Sequence, residues 1–130
     1  CGNTIALYDV GSREVASQMG HATCDAQGQV VEFVEKPPQP PTTLASIGIY
    51  AYEQMVREQV DRYLSEGHSA DRTGDFVAWL HKQLPIYAHA ISAEAGVWFD
   101  IGSFDQYQEA NRAYGGRSIE MESLSNAVRK

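Results

Sequence analysis

Two stretches of this chain, residues 4–10 (TIALYDV) and 44–52 (LASIGIYAY), are apolar almost without interruption. Strict alternation would let one face of a strand meet water, whereas a continuous apolar run needs cover on both faces. Each run therefore reads as an interior strand with packing layers on either side. At 130 residues, with 43% hydrophobic and 10% aromatic side chains, the chain has material for one such core and too little for two. The same composition excludes disorder and a coiled coil.

The remaining elements follow from local signals. Residues 21–24 and 30–34 read as short strands joined by the turn sequence Asp25-Ala26-Gln27-Gly28, a hairpin. Four of the five prolines (Pro37, Pro38, Pro40, Pro41) then remove backbone donors and fix a stiff loop. Tyr52, Val56, Val60, Tyr63 and Leu64 recur at helical spacing across 53–65, with Arg57/Asp61 and Glu58/Arg62 as i,i+4 pairs and Gly67 as the stop. Asp75 is expected to cap a shorter helix carrying Phe76, Val77, Trp79 and Leu80, which must end before Pro85. Residues 86–91 read as a strand and 97–101 as a short extended segment. Ser103 with Gln106 three residues later forms a capping-box signature for a last helix closed by Gly115-Gly116. Strands alternate with helices only in the second half, so the predicted class is α/β with a mixed sheet flanked by helices.

Ten Lys and Arg against seventeen Asp and Glu give a net charge of −7, which argues against non-specific binding to nucleic acid or an anionic membrane. No apolar run approaches the roughly 18 residues of a membrane span. Cys1 and Cys24 form no CxxC pair, so free thiols in a reducing cytoplasm are the expectation. Phosphate-loop, dinucleotide and G-x-S-x-G signatures are absent, and the four histidines (His21, His68, His81, His89) are scattered as structural or surface residues would be.

Two clusters carry chemistry. In Glu32-Phe33-Val34-Glu35-Lys36-Pro37 a strand delivers a carboxylate and an ammonium side by side where proline stiffens the chain. Alternation would put Glu35 and Lys36 on opposite faces, while a turn at Pro37 would aim both at one ligand; a solvated strand end is the plainer reading. In Gly96-Val97-Trp98-Phe99-Asp100-Ile101-Gly102-Ser103 an acid lies between large apolar neighbours. Packing there would hold Asp100 as a hard-cation ligand needs, or Asp100 would simply cap the following helix. Gly48, at the centre of the second apolar run, marks either close approach of a ligand or ordinary packing.

Taken together, Met19-Gly20, then Asp25 and Gly28 leading into Val31-Glu32-Phe33-Val34-Glu35-Lys36-Pro37, then Ala45-Ser46-Ile47-Gly48-Ile49-Tyr50, and finally Trp98-Phe99-Asp100-Ile101-Gly102-Ser103 with Tyr107, Ala110 and Asn111, resemble the sugar-1-phosphate nucleotidyltransferase family. The resemblance spans about residues 4–114. It implies the C-terminal half of a Rossmann-like nucleotidyltransferase domain, with residues 1–116 as the sugar-phosphate-binding half and 117–130 as a C-terminal tail. It implies that Lys36 contacts the phosphate of a hexose-1-phosphate and that Glu35 holds sugar hydroxyls. It further implies that the backbone at Gly20 and Gly48 approaches the sugar, and that Asp100 is one of two aspartates holding Mg²⁺. Departures from the family pattern are Met19 for Tyr, Ser46 for Asn or Thr, and Ser103 for Thr. The family's Gly-rich triphosphate loop and its first metal aspartate are not in this sequence.

The implied reaction moves a nucleotidyl group from a nucleoside triphosphate to a hexose-1-phosphate. Its nucleophile is already an anion, so positioning and charge neutralisation by Lys36 and Mg²⁺ suffice without a general base. Three expectations follow. The chain is an inactive sugar-side piece of such an enzyme, one half of a split enzyme whose N-terminal half is another chain, or a non-catalytic homodimeric module pairing through an open sheet edge.

Overall fold

The computed structural model describes residues 2–92 and 94–115, and the expected tail 117–130 lies outside them. The described elements, in chain order, are β1 (Asn3–Asp9), α1 (Arg13–Ala16), β2 (His21–Cys24), β3 (Val30–Val34), β4 (Leu44–Ala51), α2 (Val56–Ser65), α3 (Thr73–Leu80), β5 (Ile86–Ile91) and α4 (Phe104–Tyr114). Two units form, divided between Gly96 and Val97.

In the first unit β1 is the central strand. It pairs antiparallel with β4 and parallel with β5, giving the order β4-β1-β5 and the mixed sheet expected of the sequence; β4, at the end of that sheet with Gly48, Ile49 and Ala51 exposed, is not the strand covered on both faces that its apolar run predicts. Its apolar run places Ile5, Ala6 and Leu7 in the buried class, as a strand packed on both faces requires. The hairpin of β2 and β3 is a separate two-stranded sheet. Its turn is closed by the Asp25 carboxylate, which accepts from the backbone N–H groups of Gln27 and Gln29 at 2.9 Å each, with Gly28 in the left-handed region at φ 81°. Bridges at Gly20/Ser46 and Gln29/Tyr87 tie the hairpin to β4 and β5. One core gathers Ile5, Leu7, Val30, Phe33, Val56, Val77, Leu80 and Ile86 from both sheets and both helices.

Several local expectations are corrected. The polar stretch after β1 contains the single turn α1, capped by Ser12 Oγ, and Arg13 donates to the Pro40 carbonyl at 2.7 Å, anchoring the proline loop. α2 starts at Val56, not at 53, and buries only Val56 and Tyr63 of its apolar set; Val60 and Leu64 stay exposed. Arg62 pairs forward with Glu66 at 2.8 Å and not back with Glu58. Gly67 does end the helix, at φ 85°. Asp75 is not the cap of α3: the N-cap is Arg72, and Asp75 lies in the first turn, held by the Arg72 guanidinium at 2.7 Å. A carboxylate in the first turn still meets the positive end of the helix dipole, which explains why the signal misplaced it by only three positions.

In the second unit Ser103 Oγ accepts from the Gln106 N–H at 3.2 Å, and the Gln106 amide oxygen accepts from the Gly102 N–H at 2.9 Å, the expected reciprocal cap of α4. Gly115 closes α4 with an ordinary right-handed backbone, and Gly116 lies outside the described residues.

Leu80 is fully buried at the meeting of α3 with the sheet core. Leu80→Ala is expected to cost about 2–5 kcal/mol of unfolding free energy in urea titrations. A cost under about 1 kcal/mol would mean that this core is not closed around α3.

Candidate sugar-phosphate site

The end of β3 builds the site. Beyond Val34 the strand stops, and Lys36 turns into the left-handed region at φ 49°. The Lys36 N–H donates to the Met19 carbonyl at 3.1 Å, which fixes this turn against the segment leading to Gly20. A residue with a side chain loses roughly 1 kcal/mol in that conformation, and a following proline adds to the restriction. The alternation that would separate Glu35 from Lys36 is thereby broken, and the two charges lie close enough for the ammonium to favour the carboxylate.

Glu35 is half-buried and its carboxylate is seated on glycine from two directions. A Cβ placed on Gly20 would lie 3.0 Å from Glu35 Oε2 and would also collide with the Phe33 ring. On Gly74, in the first turn of α3, a Cβ would overlap the carboxyl group of Glu35. Burial pushes the Glu35 carboxyl above its ordinary range; Lys36 and Arg72 oppose that shift, and Asp75 adds to it.

Around this seat lie two residues of β4. Gly20 bridges Ser46, whose N–H donates to the Gly20 carbonyl at 2.8 Å. The Ser46 hydroxyl is buried beside the Tyr50 phenol, just outside strict hydrogen-bond geometry. Tyr50 stacks on Tyr52 with ring centroids 5.7 Å apart, and burial holds its phenol above the ordinary range, opposed by the Ser46 hydroxyl and aided by the Glu35 charge. Between them Gly48 occupies an irregularity in the β1/β4 register at φ 74°. Nothing lies within 4 Å of a Cβ built there, so the glycine answers to backbone conformation and leaves the main chain accessible.

Thus Gly20, Glu35 and Lys36 are brought together, with Gly48 on the neighbouring strand. Sequence reasoning missed Gly74, Asp75 and Arg72 as neighbours of Glu35. With Asp75 read as the cap, Gly74 falls before the expected helix and carries no signal of its own.

Asp100 belongs to the second unit, where its side chain is exposed. The packed collar expected around it is incomplete: Val97 and Ile101 are more than half exposed. The segment is held differently, by Tyr114, which donates to the Val97 carbonyl at 2.8 Å and meets the Phe99 ring edge-on at 5.7 Å. Since Ser103 caps α4, Asp100 is not the cap. Among the described residues no three His, Cys, Asp or Glu side chains converge as a metal site. Of the histidines, His21 is buried and donates to the Ala16 carbonyl at 3.0 Å, and His68 stacks on Tyr63, both structural placements.

Residues 2–116 match the model of the nucleotidyl transferase family. The chain belongs to that family. It is 34% identical over 110 residues to the glucose-1-phosphate adenylyltransferase of Thermotoga neapolitana, covering 83% of this chain and 26% of that protein. This member of the family therefore spans about a quarter of its curated relative's length. Its fold is similar to that of a Bacillus anthracis protein described as a glucose-1-phosphate thymidylyltransferase, solved with a sucrose (TM-score 0.68, 24% identity, 91% of this chain and 45% of that one). It is also similar to a UDP-glucose pyrophosphorylase solved with UDP-glucose (TM-score 0.66, 26% identity, 88% and 44%). The fold is accordingly the mixed α/β fold of nucleotidyltransferases.

The raised Glu35 carboxyl fixes a sign. The folded state holds that proton more tightly than the unfolded chain, so stability rises as pH falls from neutrality through the folded value toward the ordinary carboxyl range. Glu35→Gln removes this dependence. Melting curves should show the variant at least as stable as the parent at neutral pH, with the parent gaining on it under acid; a parent that loses ground to Glu35→Gln as pH falls would contradict the assigned burial.

Proposed function

We propose that this chain supplies the sugar-phosphate side of a sugar-1-phosphate nucleotidyltransferase. The observation that supports it best is the pairing of a strained, exposed Lys36 with a seated Glu35, in a chain that belongs to the family. Strain at a residue with a side chain persists where the surroundings hold it, and it concentrates at binding sites. Here it carries an ammonium out of the strand face and into solvent, where a phosphate can meet it.

In this reading Lys36 holds the phosphate of a hexose-1-phosphate, Glu35 accepts from sugar hydroxyls, and the main chain at Gly20 and Gly48 borders the sugar. Ser46 and Tyr50 offer further hydroxyls on the same side. A sugar-phosphate oxygen attacks the α-phosphorus of a nucleoside triphosphate in line, forming that P–O bond as the bond to the departing pyrophosphate breaks. The attacking oxygen is already anionic, so no side chain of this site needs to remove a proton. Lys36 contributes by offsetting repulsion between the two anions and by fixing the attack direction.

In the same reading Asp100 would give Mg²⁺ one carboxylate oxygen. An exposed carboxylate is a hard oxygen donor of the kind this ion takes one or two of, alongside substrate phosphates, so the donor chemistry fits one ligand of a shared set. When bound, the ion neutralises phosphate charge.

Titration of glucose-1-phosphate into the chain, followed by NMR shifts of the Gly20, Glu35 and Gly48 amides, tests the reading. Lys36→Ala should weaken binding about tenfold or more. Lys36→Gly should weaken it equally while stabilising the fold by up to about 1 kcal/mol, because glycine relieves the left-handed strain. Binding that survives both substitutions would remove Lys36 from the site.

A further inference from the structure

We infer that Gly74 is a positioning residue for sugar recognition: its bare Cα, with Gly20 opposite, forms the seat that holds the Glu35 carboxylate in one place. This rests on the reading of Glu35 as the sugar-hydroxyl acceptor.

Gly74 lies inside α3, where glycine is a poor helix former, and its backbone is ordinary helix with no positive φ to demand it. A side chain at this position would have to displace Glu35, whose Oε2, Cδ and Cγ are the three atoms nearest a built Cβ. The reason for glycine at 74 is therefore the Glu35 carboxyl group itself. Oε2 is also the Glu35 atom closest to Gly20, so one oxygen lies against both glycines while Oε1 is not among the atoms nearest either.

Enclosure of that kind removes rotamer freedom from a side chain that would otherwise lose it on binding. α3 begins without a side-chain cap, so its positive end also draws a carboxylate toward Gly74. Arg72 and Asp75, paired with each other at 2.7 Å, flank the same turn, and their opposing influences on Glu35 partly cancel. The seat thus fixes the position of the carboxylate with little net charge of its own, and no Lys36 atom is among those nearest either glycine. Sugar recognition and phosphate recognition are in this way separable.

The test is a double-mutant cycle on the chain, reading affinity for glucose-1-phosphate against inorganic phosphate by NMR titration. The parent should prefer the sugar phosphate. Gly74→Ala should bring the two affinities together, a loss of about tenfold in the ratio, with phosphate binding unchanged. In the Glu35→Ala background the added methyl has room, so Gly74→Ala should change nothing in the ratio and should raise the melting temperature as alanine improves the helix. If Gly74→Ala keeps the parent's ratio, or lowers it equally with and without Glu35, the inference is overturned. Should Gly74→Ala alone fail to fold, the Glu35→Ala/Gly74→Ala protein decides: folding restored to it supports the seat, and no recovery overturns it. A parent that shows no preference for the sugar phosphate overturns the reading of Glu35 as well.

Discussion

The pairing of β1 on both edges organises this protein. A strand that is apolar on both faces gains from burial only if neighbours fill both hydrogen-bonding edges and layers cover both faces. β4 satisfies one edge antiparallel and β5 the other in parallel. β5 thus runs antiparallel to β4, and α2 and α3 carry the chain from one edge of β1 to the other. Burial of Val56, Val77 and Leu80 against the sheet then fixes the first turn of α3. Glu35 is seated on that turn. The site is thus a consequence of sheet order.

Close approach, more than charge, shapes the site. Glycines at 20 and 74 let the backbone come within contact of Glu35, and Gly20 also admits the Phe33 ring. A chain with a net charge of −7 would be a poor general binder of phosphates, so an anion must be met by a locally placed cation. In the proposed reading that cation is Lys36, whose left-handed turn breaks the strand alternation just after a seated carboxylate. In the proposed site a small amount of backbone strain at Lys36 is held in place by the Met19 hydrogen bond and the proline loop.

Much of the fold was legible in order. The strands at 4–10, 21–24, 30–34 and 86–91 appear within a residue or so of their expected bounds, because continuous apolar runs and the Asp25–Gly28 turn are local signals. The capping pair Ser103 and Gln106 was legible for the same reason. The helix starts were less so: Asp75 favours the start of a helix both as a cap and within the first turn, and only backbone geometry distinguishes these. The apolar stripe of α2 overstated burial, since Val60 and Leu64 have the right spacing and no neighbour layer to cover them. For Asp100, apolar neighbours in sequence suggested a packed collar, yet adjacent residues along an irregular segment point in different directions, and the Tyr114 clasp comes from the far end of α4.

By itself, then, the sequence determined the class of the fold, the central double-faced strand, the hairpin and the pair Glu35-Lys36 as the place to look, because periodicity, turn chemistry and charge adjacency act over a few residues. Tertiary structure alone decided that Glu35 and Lys36 leave the strand alternation, and that Gly20 and Gly74, far apart in the chain, close on one carboxylate. Proximity across the fold depends on how the layers pack, and no local pattern around a single glycine records which side chain will come to rest against it.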